Sequence, residues 1–178
     1  ASKMSSTSPA SVIRKVFERV EAFDDITSLT VGEPDFDTPT HIVDAAVDSL
    51  RAGDTRYTPN AGIPELRDAV AQLYAEQWVR TLKRENVVVT VGGQEGMFLA
   101  LRTAVDPGDD VLVTDPSYAN YQGQIHLMGA RAVSVPLTED NGFIVTADQV
   151  EAALTPRTKA LILNSPANPL GAVVPEGE

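Results

Sequence analysis

Residues 87–96 read Val87-Val88-Val89-Thr90-Val91-Gly92-Gly93-Gln94-Glu95-Gly96. A short β-branched run meets two glycines, and the stretch from Gln94 to Val105 then has the composition of a buried helix. An apolar run of this length is what a parallel strand covered on both faces looks like. Downstream the pattern repeats. Asp106-Pro107-Gly108-Asp109 is a turn, Val111 to Thr114 a second strand, and Tyr118 to Met128 a helix. Ala132 to Val135 is a third strand. Thr146 with Gln149 forms a capping box for a helix reaching Leu154, and Ala160 to Leu163 is a fourth strand. Strands and helices alternating over short links predict an α/β fold: three layers, a mostly parallel sheet flanked by helices.

Upstream the reading is helical. Val12 to Phe23 carries apolar residues at helical spacing, and Leu29 to Val31 suits a short strand. Gly32-Glu33-Pro34-Asp35-Phe36-Asp37-Thr38-Pro39 forbids regular structure. Thr40 is placed to cap a helix over 41–52 that buries Ile42, Val43, Ala46, Val47 and Leu50, with Gly53 as its stop. Arg56 to Gly62 is a loop. Pro64 suits the first turn of the next helix, whose inner face is Leu66, Ala69, Val70 and Leu73.

Composition narrows the function classes. The chain has 178 residues, 14 Lys plus Arg against 25 Asp plus Glu, and a net charge of −11. An acidic surface argues against nucleic-acid and anionic-membrane partners, which want a basic face. The sequence has no Cys, so disulfides, thiolate metal sites and a Cys nucleophile are excluded. That usage fits a cytoplasmic enzyme. His41 and His126 lie far apart, which argues against a metal site. No apolar run has the length of a membrane span.

Five segments are candidates for chemistry, and each has a plainer reading beside it. Gly92-Gly93-Gln94 opens a helix, where N–H groups and the dipole favour an anion; a connecting glycine turn is equally good. Asp115-Pro116-Ser117-Tyr118-Ala119-Asn120-Tyr121 follows a strand, on the side where open α/β sheets bind ligands. Tyr118 could offer a ring face to a flat cofactor, or simply pack on a neighbour. Asn164 to Gly171 follows the last strand; its Asn168 amide could donate to a ring oxygen, or the stretch is a proline-rich exit turn. Tyr57 has a hydroxyl suited to phosphate but is in an ordinary loop. Gly32 would let a small carboxylate reach the main chain, or is part of a turn.

Together these segments are more specific. Gly32-Glu33-Pro34-Asp35-Phe36-Asp37-Thr38-Pro39, the Tyr57-to-Arg67 stretch, Val89 to Gly96, Asp115 to Tyr118 and Asn164 to Gly171 resemble, in order, the class I and II aminotransferases. The resemblance runs from about Val12 to the last residue and covers the N-terminal half of that family's chain. It implies a fold-type I enzyme dependent on pyridoxal phosphate. Residues 1–40 would be an N-terminal arm and small-domain segment, and 41–178 the first half of the large cofactor-binding domain. Gly92, Gly93 and Gln94 would bind the cofactor phosphate, Tyr118 would stack on the pyridine ring, and Asn168 would hydrogen-bond the ring's 3′ oxygen. Gly32 and Asn168 would face the substrate, and Tyr57 would reach the phosphate of a neighbouring subunit. The family tends to have cis bonds at the prolines matching Pro116 and Pro169.

The resemblance also implies what this stretch lacks. The family's Schiff-base lysine comes later in the chain, and Lys3, Lys15, Lys83 and Lys159 do not lie in its context. No catalytic residue is therefore expected here, and this stretch alone is expected to be inactive. The expected partners are a C-terminal half, separate or lost, an amino acid and a 2-oxo acid, and a second subunit in a homodimer. The family's Asn-Pro-Thr-Gly is Asn168-Pro169-Leu170-Gly171 here, which removes a hydroxyl but keeps the amide. Two other readings stay open. One is a Rossmann-like nucleotide-binding domain, weakened by Gly-Gly-x-x-Gly spacing in place of Gly-x-Gly-x-x-Gly. The other is a non-catalytic scaffold fragment.

Overall fold

The computed structural model describes residues 34–178 together with Ser6, Val16, 18–20, Phe23, 25–27, Leu29 and Gly32. The helix expected over 12–23 and the strand expected over 29–31 lie largely outside the described residues. The chain divides into two compact units, residues 1–22 with 97–178 and residues 23–96.

The first unit is built on a three-stranded parallel sheet. Its strands are β1 (Asp110–Asp115), β2 (Arg131–Pro136) and β3 (Thr158–Ile162), in the order β2-β1-β3. The central strand is buried from Asp110 to Thr114, and its side chains alternate between two cores, as a period of two requires. Val111 and Val113 pack with Leu101, Val105, Ile125, Met128 and Ile162. Leu112 packs on the other face with Val135 and Val145, beside Val150 and Ala153. These contacts place the later turns of α3 (Gly92–Ala104) and α4 (Asn120–Leu127) on one face and α5 (Ala147–Ala153) on the other. The three layers of an α/β fold follow directly. The capping box at α5 is present: the Gln149 N–H donates to Thr146 Oγ1 at 3.3 Å, and the Thr146 N–H to Gln149 Oε1 at 2.9 Å.

A buried carboxylate sits at the start of β1. Asp110 has no exposed surface, so its charge needs partners. Arg131 on the neighbouring strand donates to both of its oxygens, at 2.8 and 2.7 Å. The Thr155 hydroxyl donates to Oδ2, and the Arg157 guanidinium lies 3.7 Å away. The Arg131 hydrogen bonds, then the Thr155 hydroxyl, hold the carboxyl well below its ordinary value of 3.8, against the opposing effect of burial. A depressed folded-state value means stability that is complete above the unfolded value and lost as pH falls through the folded one. Asp110→Asn is therefore expected to be destabilised at pH 7 and pH 5, with the gap to wild type closing below about pH 4. Melting temperatures across that range check this; a gap independent of pH would assign the cost to packing alone.

The second unit carries α1 (Thr40–Ala52) and α2 (Pro64–Trp78). Gly53 ends α1 at φ +91°, and Pro64 occupies the first turn of α2, both as the sequence predicts. Thr40 is not the cap. Pro39 takes that position, with its carbonyl accepting from Ile42 at 2.9 Å, and Thr40 is the first helical residue. The expected burial also fails. Ile42, Val43 and Leu50 are 51, 45 and 62% exposed, and in α2 Leu66 and Leu73 are 44 and 51% exposed. Helical periodicity selects a face but does not supply its partner.

The strand expected over 87–91 is the main correction. Among the described residues, 87–91 join no ladder, although Val87 is extended. The Val89 N–H donates to the Ala61 carbonyl at 2.9 Å, and Val88 and Val91 are 60 and 88% exposed. A strand is defined by hydrogen bonds to a neighbour, which composition cannot provide. The segment is instead tethered from α2. Arg67 Nε donates to the Val87 carbonyl at 2.9 Å and its terminal nitrogen to the Arg84 carbonyl at 2.6 Å. Gly62 packs so closely on Val89 that a Cβ there would lie 2.5 Å from a valine methyl.

Candidate functional site

In the second unit the glycine junction is intact. Gly92 adopts φ +73°, a conformation natural to glycine, and with Gly93 it forms the first turn of α3. A Cβ on either glycine would meet no heavy atom within 4 Å. The main chain is therefore open at a helix N-terminus, where first-turn N–H groups lack intrahelical acceptors. Gln94 follows in the same turn. The Glu95 carboxylate accepts from the Val91 N–H, and the Thr90 hydroxyl donates to the Gly92 carbonyl at 2.9 Å. Both contacts fix the entry to the helix, and neither was evident from sequence. Tyr57 is fully exposed, in the loop tied through Ala61 to the run that leads to Gly92. Gly32 is exposed, with nothing within 4 Å of a Cβ.

In the first unit, parallel pairing of β1 with β3 sends the chain out of both strands at the same sheet edge. The loop holding Tyr118 leaves β1 there, and the loop holding Asn168 leaves β3. Tyr118 is half-buried; its hydroxyl accepts from Asn120 Nδ2 at 2.9 Å, and its ring and that of Tyr121 stand edge-to-face, at 79° with centroids 5.5 Å apart. Asn168 is exposed on a loop closed by two main-chain hydrogen bonds, Ala167 N–H to Ala172 C=O at 2.8 Å and Gly171 N–H to Ala167 C=O at 2.7 Å. Leu170 does not prevent this turn. The peptide bonds before Pro116 and Pro169 are cis, and so is the one before Pro166.

The structure thus brings Tyr118 and Asn168 to one sheet edge in the first unit. It places Gly92, Gly93, Gln94, Tyr57 and Gly32 in the second. The second unit offers an open helix N-terminus of the kind that takes a phosphate, and the first unit offers a fixed aromatic ring and an exposed amide. Asn120 lies in the Asp115-to-Tyr121 segment singled out in the sequence, where it had no assigned role. It follows Tyr118 by two residues and is the first residue of α4.

The sequence profile of the family described as aminotransferase class I and II matches residues 24–178. The chain belongs to this family. A probable aspartate/prephenate aminotransferase of Thermus aquaticus is 44% identical over 152 residues, which is 85% of this chain and 40% of the relative. An arginine–pyruvate transaminase of Pseudomonas aeruginosa is 43% identical over 161 residues, 90% of this chain and 41% of the relative. The solved aspartate aminotransferase of Thermus thermophilus with maleate superimposes with a TM-score of 0.93 at 39% identity, covering 99% of this chain and 47% of that one. The chain therefore spans less than half the length of the aminotransferases it matches. The α/β fold is that of the fold-type I aminotransferases. This likeness does not favour the nucleotide-binding and scaffold readings.

Proposed function

We propose that this chain is the N-terminal part of a pyridoxal-phosphate-dependent aminotransferase, which moves an amino group between an amino acid and a 2-oxo acid. The family match over 24–178 carries the reading, because it contains the glycine junction, the Tyr118 loop and the Asn168 loop in order. Residues 1–40 are assigned to an arm and small-domain segment and 41–178 to the first half of the large domain. The resemblance supports a cytoplasmic homodimer, with Tyr57 serving the neighbouring subunit.

The residues present have distinct tasks. The first-turn N–H groups of Gly92, Gly93 and Gln94 bind the phosphate at the positive end of α3. The Tyr118 ring would stack on the pyridine ring. The Asn168 amide donates to the 3′ oxygen. Gly32 leaves the main chain open to the substrate carboxylate. Pyridoxal phosphate, when bound, supplies the electron sink for chemistry at the amino-acid α-carbon. The proton-carrying lysine is assigned to a further C-terminal segment. Lys83 opens a 3-10 turn, and Lys159 is exposed in β3. The relatives named for aspartate or prephenate and for arginine with pyruvate are nearly equally similar, so the donor is assigned only as an amino acid.

The test is to combine this chain with its C-terminal segment and pyridoxal phosphate, then measure 2-oxo acid released from a panel of amino acids. Oxo acid from the combination and none from this chain alone is the expected result. Uptake of NAD with no uptake of pyridoxal phosphate would overturn the reading.

A further inference from the structure

We infer that Asn120 and Tyr121 are positioning residues that lock the ring of Tyr118 before any cofactor arrives. The inference rests on the stacking role proposed for Tyr118. A phenol ring on a loop turns about two side-chain torsions, and stacking on a flat ligand requires both to be fixed. Tyr118 has two independent restraints. The Asn120 amide donates to its hydroxyl at 2.9 Å, which pins the far end of the ring. The Tyr118 and Tyr121 rings stand edge-to-face, at 79° with centroids 5.5 Å apart, which opposes rotation of the Tyr118 ring about its axis. Edge-to-face geometry is the favoured arrangement of two such rings. All three side chains are half-buried, so water competes only partly for the amide and the hydroxyl.

The restraints have firm supports. Asn120 and Tyr121 lie in the first turn of α4, and the Tyr121 N–H donates to the Tyr118 carbonyl at 3.1 Å. Tyr121 itself packs against the core containing Ile125 and Met128. The clamp thus links the sheet edge to the helix behind it. Burial, and to a lesser degree the nearby Tyr118, pushes the Tyr121 hydroxyl up from its ordinary value, so Tyr121 stays neutral across the working range. Binding then need not order the ring, and affinity gains the entropy that ordering would have cost.

The test uses the full-length protein stripped of cofactor and titrated with pyridoxal phosphate. Asn120→Ala is expected to weaken binding by about fivefold, the equivalent of one net hydrogen bond. Tyr121→Phe, which keeps the ring, is expected to bind nearly as wild type, whereas Tyr121→Ala loses about three- to tenfold. The near-ultraviolet circular dichroism of the cofactor-free protein should lose tyrosine signal in Asn120→Ala and Tyr121→Ala. The decisive arm is the pair Asn120→Ala and Tyr118→Phe. If Asn120 acts through the Tyr118 hydroxyl, the alanine costs nothing further in the Tyr118→Phe background. An undiminished loss there, or no loss in the single variants, would overturn the inference. Tyr118→Ala separates the two levels: if it binds as wild type, the stacking role itself falls; if it alone loses affinity, only the clamp does.

Discussion

Leu112→Ala is expected to destabilise the protein by about 3–5 kcal/mol, the upper part of the range for a leucine deleted from a packed core. Leu112 is fully buried at the centre of the middle strand. Its neighbours Val135 and Val145 are held by β2 and by the segment entering α5, so the site cannot readily collapse on the space left. The lost transfer energy and the unfilled cavity therefore add. Leu112→Met keeps the volume and is expected to cost less than about 1.5 kcal/mol. Urea denaturation of both variants checks this. Equal costs below about 1 kcal/mol would mean that the second face of β1 is not the tight layer described.

Gly93→Ala is expected to separate folding from phosphate binding. Gly93 is in the first turn of α3, its φ is not positive, and a Cβ there would meet no atom within 4 Å. Alanine suits a helix better than glycine, so the cofactor-free protein should be as stable as wild type or more so, by up to about 1 kcal/mol. The same methyl would occupy space the proposed phosphate needs. Losing one charge-assisted hydrogen bond, about 1.5–3 kcal/mol, corresponds to roughly a ten- to hundredfold weaker affinity for pyridoxal phosphate. Titration of the full-length protein measures it. Unchanged affinity in a stable variant would show that the anion does not approach this turn.

The contrast between two apolar runs explains how much of the fold was legible. Val111 to Thr114 and Val87 to Val91 look alike in sequence, and both read as buried strands. Only the first is one. Asp110 to Asp115 lies between β2 and β3 and is hydrogen-bonded on both sides, whereas residues 87–91 have no ladder partner among the described residues. Local signals fared better where the physics is local. Gly53, Pro64 and the Thr146–Gln149 capping box act within a single turn, and each stands where its residue type predicts.

The site divides along the same line. Order and wording of the loops were in the sequence, and so was the family. The role of Asn120 was not, because it depends on a side chain two residues away whose hydroxyl points back at it. Asp110 was not, because Arg131 and Thr155 come to it from 21 and 45 residues further along the chain.

By itself the sequence determined the helix stop at Gly53, the helix starts at Pro64 and Thr146, the glycine junction at 92–93, the α/β alternation and the absence of thiol chemistry. Tertiary structure alone decided which apolar run became the central strand, which helix faces were covered, how a buried carboxylate was neutralised and what holds Tyr118. The physical reason is that capping and turn preferences are satisfied by neighbours in the chain. Ladders, cores and ion pairs need partners that only folding brings within reach.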